Sequence, residues 1–299
     1  MLENKVAHKS IHHPKTNFIS WKSKRFRQIS WKIFVYSILI LIGIVVMIPV
    51  YWTISSALKP LDQALAFPPV WVPKPLVFEN FVVAFRQLNF LQALGNTLYI
   101  TIFGIIGQLI SSTMVAYGFA RFRFPGRNIL FLVALSTMMI PSHILIIPRF
   151  VLFKQLGWLD TFKPFTVPAF FADAMYIFML RQFFMTIPYE MDEAARMDGA
   201  SYFKIFTRII LPLSKPALGI ISVFIFLSRW KDFMGPLIYL SSAHRYTLAL
   251  ALNAFRHEFF IEWNILMAAT CIVMIPPVIV FFIAQKYFIQ GIVVTGIKG

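Results

Sequence analysis

Cysteine is almost absent from this chain: Cys271 is the single one in 299 residues, and it lies inside an apolar run. A disulfide framework and a cysteine-built metal site are thereby excluded. Acidic residues are scarce as well, 12 against 28 lysines and arginines. Charged residues make up only 13% of the chain, where a soluble domain carries about a quarter. No G-x-x-x-x-G-K-S/T segment occurs, so the phosphate-cradling loop of an ATPase is missing. The pair His257-Glu258 lacks the second histidine of a zinc-hydrolase helix.

What is present is apolar. Hydrophobic residues reach 59% and the mean hydropathy is +0.72, which places the chain among integral membrane proteins. The formal charge of +16 invites a nucleic-acid partner, but its distribution argues against one. Eight of the 28 basic residues fall in the first 32, where Glu3 is the sole acid. That stretch has no secretory pattern and reads as a cytoplasmic tail ahead of a first span. His8, His12 and His13 lie in it; a polar tail is the simpler account of them than a metal site.

A helix crossing hydrocarbon needs about 20 mostly apolar residues. Six stretches meet or approach this, at about 33–55, 94–119, 128–150, 164–184, 208–230 and 264–285. The expected fold is therefore all-α integral membrane with six transmembrane helices, built as a tail (1–32) and a transmembrane domain (33–299). Lys and Arg concentrate in the short connections at 120–127 and 185–207, including Arg121, Arg123 and Arg127. By the positive-inside bias these connections and both termini are cytoplasmic.

Outside, residues 56–93 carry five prolines within KPLDQALAFPPVWVPKPLVFENF, which rules out a regular helix through the middle. Phe67, Trp71 and Phe78 suit the outer interface, and NFVVAFRQLNFLQAL suits a short amphipathic helix leading into span two. Span two carries the small residues Gly107, Ser111, Ser112 and Ala116, which permit close helix approach, within the bundle or against a second subunit. Prolines 141, 148, 212, 216, 276 and 277 fall in or beside spans, where protein or a cavity must re-satisfy the backbone. Asp173 is an intramembrane acid and thus a candidate pathway residue, unless it lies near an interface or pairs with another helix. Asn96, Gln108, Ser136 and Asn264 are either cavity-lining or helix-to-helix donors.

One polar segment stands apart. YEMDEAARMDG (189–199) holds a third of all the acids between two apolar stretches, on the cytoplasmic side. Thr186 suits a helix cap and Pro188 a first turn. Glu190, Asp192 and Glu193 then stand near a helix N-terminus, where negative charge is favoured. Ala194 and Ala195 leave a slim surface, and Asp198-Gly199 makes a stop. A second helix follows, with Tyr202, Phe203, Phe206, Ile209 and Ile210 as its apolar side. A short helix, a glycine turn and a second helix suit a docking element, since a plain connector needs no such pattern; the alternative is a surface-lying hairpin that merely joins two spans.

The stretch EAARMDGASYFKIFTRIILPLSKPAL resembles the EAA motif of permease subunits in bacterial ABC importers, at Glu193, Ala194, Ala195, Gly199, Ile210, Leu211 and Pro212. YGFARFRFPGR, the proline-rich outer segment, RWKDFMGPLIYL and the terminal GIVVTGIKG extend the resemblance to the MalG-like branch of binding-protein-dependent carbohydrate importers. The resemblance implies the type I importer permease fold in the bacterial cytoplasmic membrane. It implies a coupling helix with Glu193 facing a separate ATPase subunit, and a C-terminal tail reaching the ATPase pair. The implied partners are a second homologous permease, two ATPase subunits, an extracytoplasmic solute-binding protein that meets residues 231–263, a carbohydrate and membrane lipid. ATP and Mg belong to the ATPase, so this chain is a non-catalytic subunit with no cofactor of its own. Where the family commonly has asparagine after the tryptophan, Lys231 follows Trp230 here. In the path it would favour an acidic sugar; at the rim it would meet the binding protein. Trp230, Lys231, Asp232, Asp173 and Asn264 are the candidate pathway or binding-protein contacts. A self-contained secondary transporter, or a membrane protein anchoring a cytoplasmic partner, is the alternative, and within the family a polyol, glycerol phosphate or acidic oligosaccharide is an alternative solute.

Overall fold

A computed structural model describes the backbone of residues 18–258 and 262–296, and the side chains of 26–253 and 262–286. The histidines of the basic tail, and the side chains of His257, Glu258 and the terminal segment expected to reach the ATPases, lie outside the described residues. The chain divides after Trp52 into two compact units. To the first belongs most of helix α1 (Phe18–Ala57), which runs well ahead of residue 33. Between residues 26 and 49 its side chains are exposed all round apart from a half-buried Val35. A helix apolar on every side, with those sides uncovered, has the surface of a lipid-facing span.

The second unit begins with the last turn of α1 and the short α2 (Leu61–Ala64). No helix forms between residues 66 and 77, where the prolines cluster, and Phe67 there is almost fully exposed. Helix α3 (Glu79–Gln87) is separated from α4 (Phe90–Arg121) by Asn89, which adopts a left-handed conformation. Because α4 contains no proline, it runs unbroken for 32 residues and becomes the spine of the unit.

The remaining apolar stretches are broken. Helix α5 (Arg127–Ser136) continues as a 3-10 turn to Met139; Ile140, before Pro141, is extended, as the proline ring requires. Helix α6 (Ile146–Gln155) tolerates Pro148 in its first turn. Helix α7 (Lys163–Thr166) and a 3-10 turn (Val167–Phe171) stop at Ala172, whose φ is +59°. Helix α8 (Ala174–Thr186) starts from Asp173, and Ile187 is extended before Pro188. Then come α9 (Glu190–Met197), α10 (Tyr202–Ile205), a π-turn at Phe206–Ile210, and α11 (Leu211–Leu213). Helix α12 (Lys215–Trp230) is bent by 77° from the helical segment before it. The outer segments α13 (Met234–Tyr239) and α14 (Leu248–Glu258) lead to α15 (Trp263–Gly296), which contains Pro276 and Pro277.

Among the described residues three helices are long and apolar enough to cross a membrane: 26–57, 90–121 and 263–286. Counting each bent pair as one crossing raises this to five, and 127–139 is a shorter apolar helix. The difference from six continuous spans has a local cause, since Pro141, the break at Ala172 and the bend before α12 each interrupt one apolar stretch. The main core is inside this unit, where Leu180 and Phe184 of α8 meet Ile205, Ile210, Ile221 and Ile225 around α4. Thr186 does not cap α9: its hydroxyl donates back to the Phe183 carbonyl at 2.7 Å, and no side chain caps α9. In the second helix of the hairpin, Ile205, Phe206 and Ile210 are buried, while Tyr202 and Phe203 are exposed. The π-turn adds a residue to the turn and rotates the buried face away from the regular helical spacing.

Candidate functional site

Helix α9 is built to show one face and hide another. Its C-terminus closes in a Schellman arrangement: the Ala200 N–H donates to Ala195 O at 2.9 Å and the Gly199 N–H to Arg196 O at 3.0 Å. Gly199 has φ +76°, the left-handed conformation that this closure needs and that glycine takes without strain. The Ser201 hydroxyl then accepts the Lys204 N–H at 3.3 Å, starting α10. On the hidden face the Asp192 carboxylate lies 3.2 Å from Arg121 Nε at the end of α4, and both side chains are about 95% buried. Arg121 Nη2 also donates to the Ile187 carbonyl at 3.0 Å, and its guanidinium lies 5.8 Å from the Tyr189 ring centre. Burial pushes the Asp192 carboxyl up, by more than Arg121 draws it down. From α4 the Tyr117 hydroxyl donates to Tyr202 O at 3.3 Å, so α4 grips both helices of the hairpin. On the shown face Glu190, Glu193, Ala194 and Asp198 are exposed, and Met197 is 89% exposed. Ala195 turns toward the core.

At the breaks of α5–α6 and α7–α8 the unit holds a polar cavity of about 410 Å³. Gln108, Arg149, Asp173, Arg229, Asp232 and Tyr239 are among the residues that line it. Two glycines make room for the charged groups: a Cβ at Gly104 would stand 3.2 Å from Arg229 Nε, and one at Gly235 2.7 Å from Asp232 Oδ2. The carboxylates are held by backbone. Asp173 Oδ1 accepts the Met175 N–H at 2.8 Å and Asp232 Oδ1 the Gly235 N–H at 3.0 Å. Gln108 Oε1 is buried and has no hydrogen-bond partner among the described residues. Irregular backbone at membrane depth is tolerated where it lines such a cavity.

A second polar cluster fastens the connections around α13. Asp160 accepts the Ser241 and Ser242 N–H groups at 3.0 Å each and the Ser242 hydroxyl at 2.6 Å, and lies 3.4 Å from Arg245. The Ser242 hydrogen bonds, more than Arg245, hold its carboxyl well below its ordinary value of 3.8. A depressed folded-state value means that the staple contributes fully above the ordinary value and loses strength as pH falls below it. Hydrogen exchange at residues 239–246, corrected for intrinsic rate, should accelerate between about pH 6 and about pH 3. In Asp160→Asn it should be fast at both. Equal protection of the wild type at both values would sink this account.

Residues 108–294 match the family of binding-protein-dependent transport system inner membrane components. The arabinooligosaccharide permease AraQ of Bacillus subtilis strain 168 is 31% identical over 87% of this chain and 93% of its own. The chain belongs to this ABC-transporter permease family. The sn-glycerol-3-phosphate permease UgpE of Escherichia coli O1:K1 is 32% identical over 87% of the permease and 95% of UgpE. A crystal structure of a bacterial ABC transporter that imports the acidic polysaccharide alginate superposes with TM-score 0.77 at 25% identity, covering 87% and 98% of the two chains. The permease is thus a multi-pass inner-membrane protein of the type I importer fold, and its role is that of a non-catalytic transport subunit.

Of the pathway candidates, the permease brings only Asp173 and Asp232 together, at the cavity. Trp230 is buried, stacked on Phe226 with its Nε1 donating to Val273 O at 3.3 Å. Lys231 is exposed and does not line the cavity. Asn264 is a helix-to-helix donor, from its Nδ2 to Asn80 Oδ1 at 3.2 Å, and Asn80 in turn donates to the Ala57 and Lys59 carbonyls. Asn96 ties α4 to the His244 and Tyr246 carbonyls, and Ser136 bonds its own helix, so of the four undecided donors only Gln108 meets the cavity. Sequence reasoning passed over Arg149 and Arg229. The available signal was an arginine inside the apolar run 215–230, one position before the tryptophan that drew attention.

Proposed function

We propose that the permease forms one half of the translocation path of an ATP-driven importer that carries a carbohydrate across the cytoplasmic membrane by alternating access. The observation that carries this is the polar cavity, placed where proline and strained residues break the apolar stretches. Relatives named for arabinooligosaccharides and alginate support a carbohydrate as the solute. The path crosses the membrane six times with both termini inside, the broken stretches counting as crossings; the basic loop at Arg121, Arg123 and Arg127 supports this orientation. A homologous permease supplies the other half, two ATPase subunits with ATP and Mg supply the drive, and an extracytoplasmic binding protein delivers solute. Glu190, Glu193, Ala194 and Asp198 meet the ATPase, with Ala195 and Gly199 shaping the helix that does so, and Asp192 holds that helix to α4. Asp173 and Asp232 meet the solute.

The test is reconstitution of the permease with its partner permease, ATPase and binding protein in liposomes. ATP-dependent uptake of an oligosaccharide, with hydrolysis stimulated by the loaded binding protein, is the expected result. Uptake driven by an ion gradient without ATP would return the molecule to the secondary-transporter reading.

A further inference from the structure

The cavity's polar groups are not equally occupied. Asp173 and Asp232 each commit an oxygen to a backbone N–H at the start of a helix. The guanidinium groups of Arg149 and Arg229 make no hydrogen bond and no ion pair among the described residues. Of these two lining residues Arg229 is half-buried and Arg149 is exposed, and Gly104 gives the Arg229 side chain the space to lie along α4. The half-buried Arg229 guanidinium has given up part of its water without gaining an acceptor at hydrogen-bond distance among the described residues, so its donors stay available to a ligand. Carboxylate and phosphate fit that fork in a bidentate manner, whereas a sugar hydroxyl offers one oxygen at a time. Beside the arginines, Gln108 Oε1 is a buried acceptor without a donor, suited to a hydroxyl.

We infer that this cavity selects a carbohydrate bearing an oxyanion, with Arg149 and Arg229 taking the anionic group and Gln108 and the free oxygen of Asp173 taking hydroxyls. The inference rests on the carbohydrate-importer reading above and names the solute class of that same cavity. Positive charge on Arg149 and Arg229 is offset at longer range by Asp173 and Asp232, so selection comes from the unpaired donors rather than from net charge.

The complete importer in liposomes tests it, with three probes delivered by saturating binding protein: a uronate-bearing oligosaccharide, a sugar phosphate and a neutral oligosaccharide. Wild-type uptake should favour one of the two charged probes, and which one identifies the oxyanion. Arg229→Gln and Arg149→Gln should each lower the charged-to-neutral uptake ratio about tenfold or more, the scale of losing a charge-assisted pair. Arg229→Lys should restore part of that ratio, which a merely structural role would not do. Lys154→Gln, an exposed cation outside the cavity, should leave the ratio unchanged. A wild type that prefers the neutral probe, or arginine variants that slow all probes equally, overturns the inference while leaving the importer reading intact. Absence of ATP-driven uptake for every probe overturns the importer reading itself.

Discussion

Replacing Arg121 by alanine is expected to uncouple ATP hydrolysis from uptake and to lower the stability of the complex by about 3–5 kcal/mol, the cost of breaking a buried ion pair. The deletion leaves the Asp192 carboxylate nearly dry, opposite an empty site and with one oxygen already unpartnered. It also removes the bond to Ile187 O that fixes the chain where α8 turns into α9. The carboxylate then either takes up a proton or swings outward, and α9, proposed to meet the ATPase, goes with it. Asp192 already has a raised value, so its ionised form weakens the fold. A raised folded-state value gives stability that is present in acid and lost as pH rises through it. Removing Arg121 raises the value further, so the deficit of the variant should be smallest in acid and widen toward neutrality. Arg121→Lys keeps charge but loses the fork, and should recover stability better than coupling. Replacing both partners with apolar residues separates stability from positioning, since such swaps often restore stability. Melting temperatures of the complex together with stimulated ATPase and uptake rates decide the matter. Full coupling in a stable Arg121→Ala complex would remove the latch from the mechanism.

The hairpin of α9 and α10 was legible because its signals are local. Acids at a helix start, Ala194-Ala195 and Asp198-Gly199 act within one turn of each other, and Gly199 closes α9 by the expected left-handed route. What local signals could not give is which acid faces inward. Asp192 is hidden by Arg121, more than 70 positions away, and nothing in the spacing of Glu190, Asp192 and Glu193 distinguishes a partner so remote. Hydropathy likewise located the apolar stretches but not their interruptions. The break at Ala172 has neither glycine nor proline at the turning residue. It exists because α4 supplies the hydrogen bonds that hold it. Trp230 and Arg229 show the same limit: neighbours in sequence, they point to opposite tasks because a helix turns by about 100° per residue. The tryptophan fills the packing against Phe226 and Val273, which leaves the arginine on the cavity side.

The small residues of α4 acquire their purpose at that break, and Gly107→Ala is the second large effect expected. A Cβ at Gly107 would lie 2.9 Å from Phe170 Cδ2 and 3.1 Å from the backbone carbon of Ala169. The aromatic ring can shift, but the backbone carbon cannot without moving the 3-10 turn. One turn further, the Ser111 hydroxyl accepts the Ala172 N–H at 3.0 Å, its own proton shared between Gly107 O at 2.8 Å and Ala169 O at 3.1 Å. The Ser112 hydroxyl accepts the Asp173 N–H at 3.4 Å. Three small residues thus hold a non-glycine residue at φ +59°, a conformation that costs about 1–3 kcal/mol and persists only where its surroundings impose it. Adding one methyl group should cost about 1–3 kcal/mol by overpacking and displace Asp173 from the cavity, so uptake should fall more than stability. Gly118→Ala, in the same helix with nothing within 4 Å of its Cβ position, should instead be neutral or stabilising by up to about 1 kcal/mol. Thermal unfolding and uptake of the two variants side by side distinguish clamp from spacer. If Gly107→Ala behaves like Gly118→Ala, then α4 does not hold the break, and the left-handed Ala172 must be imposed from α8 and Asp173 alone.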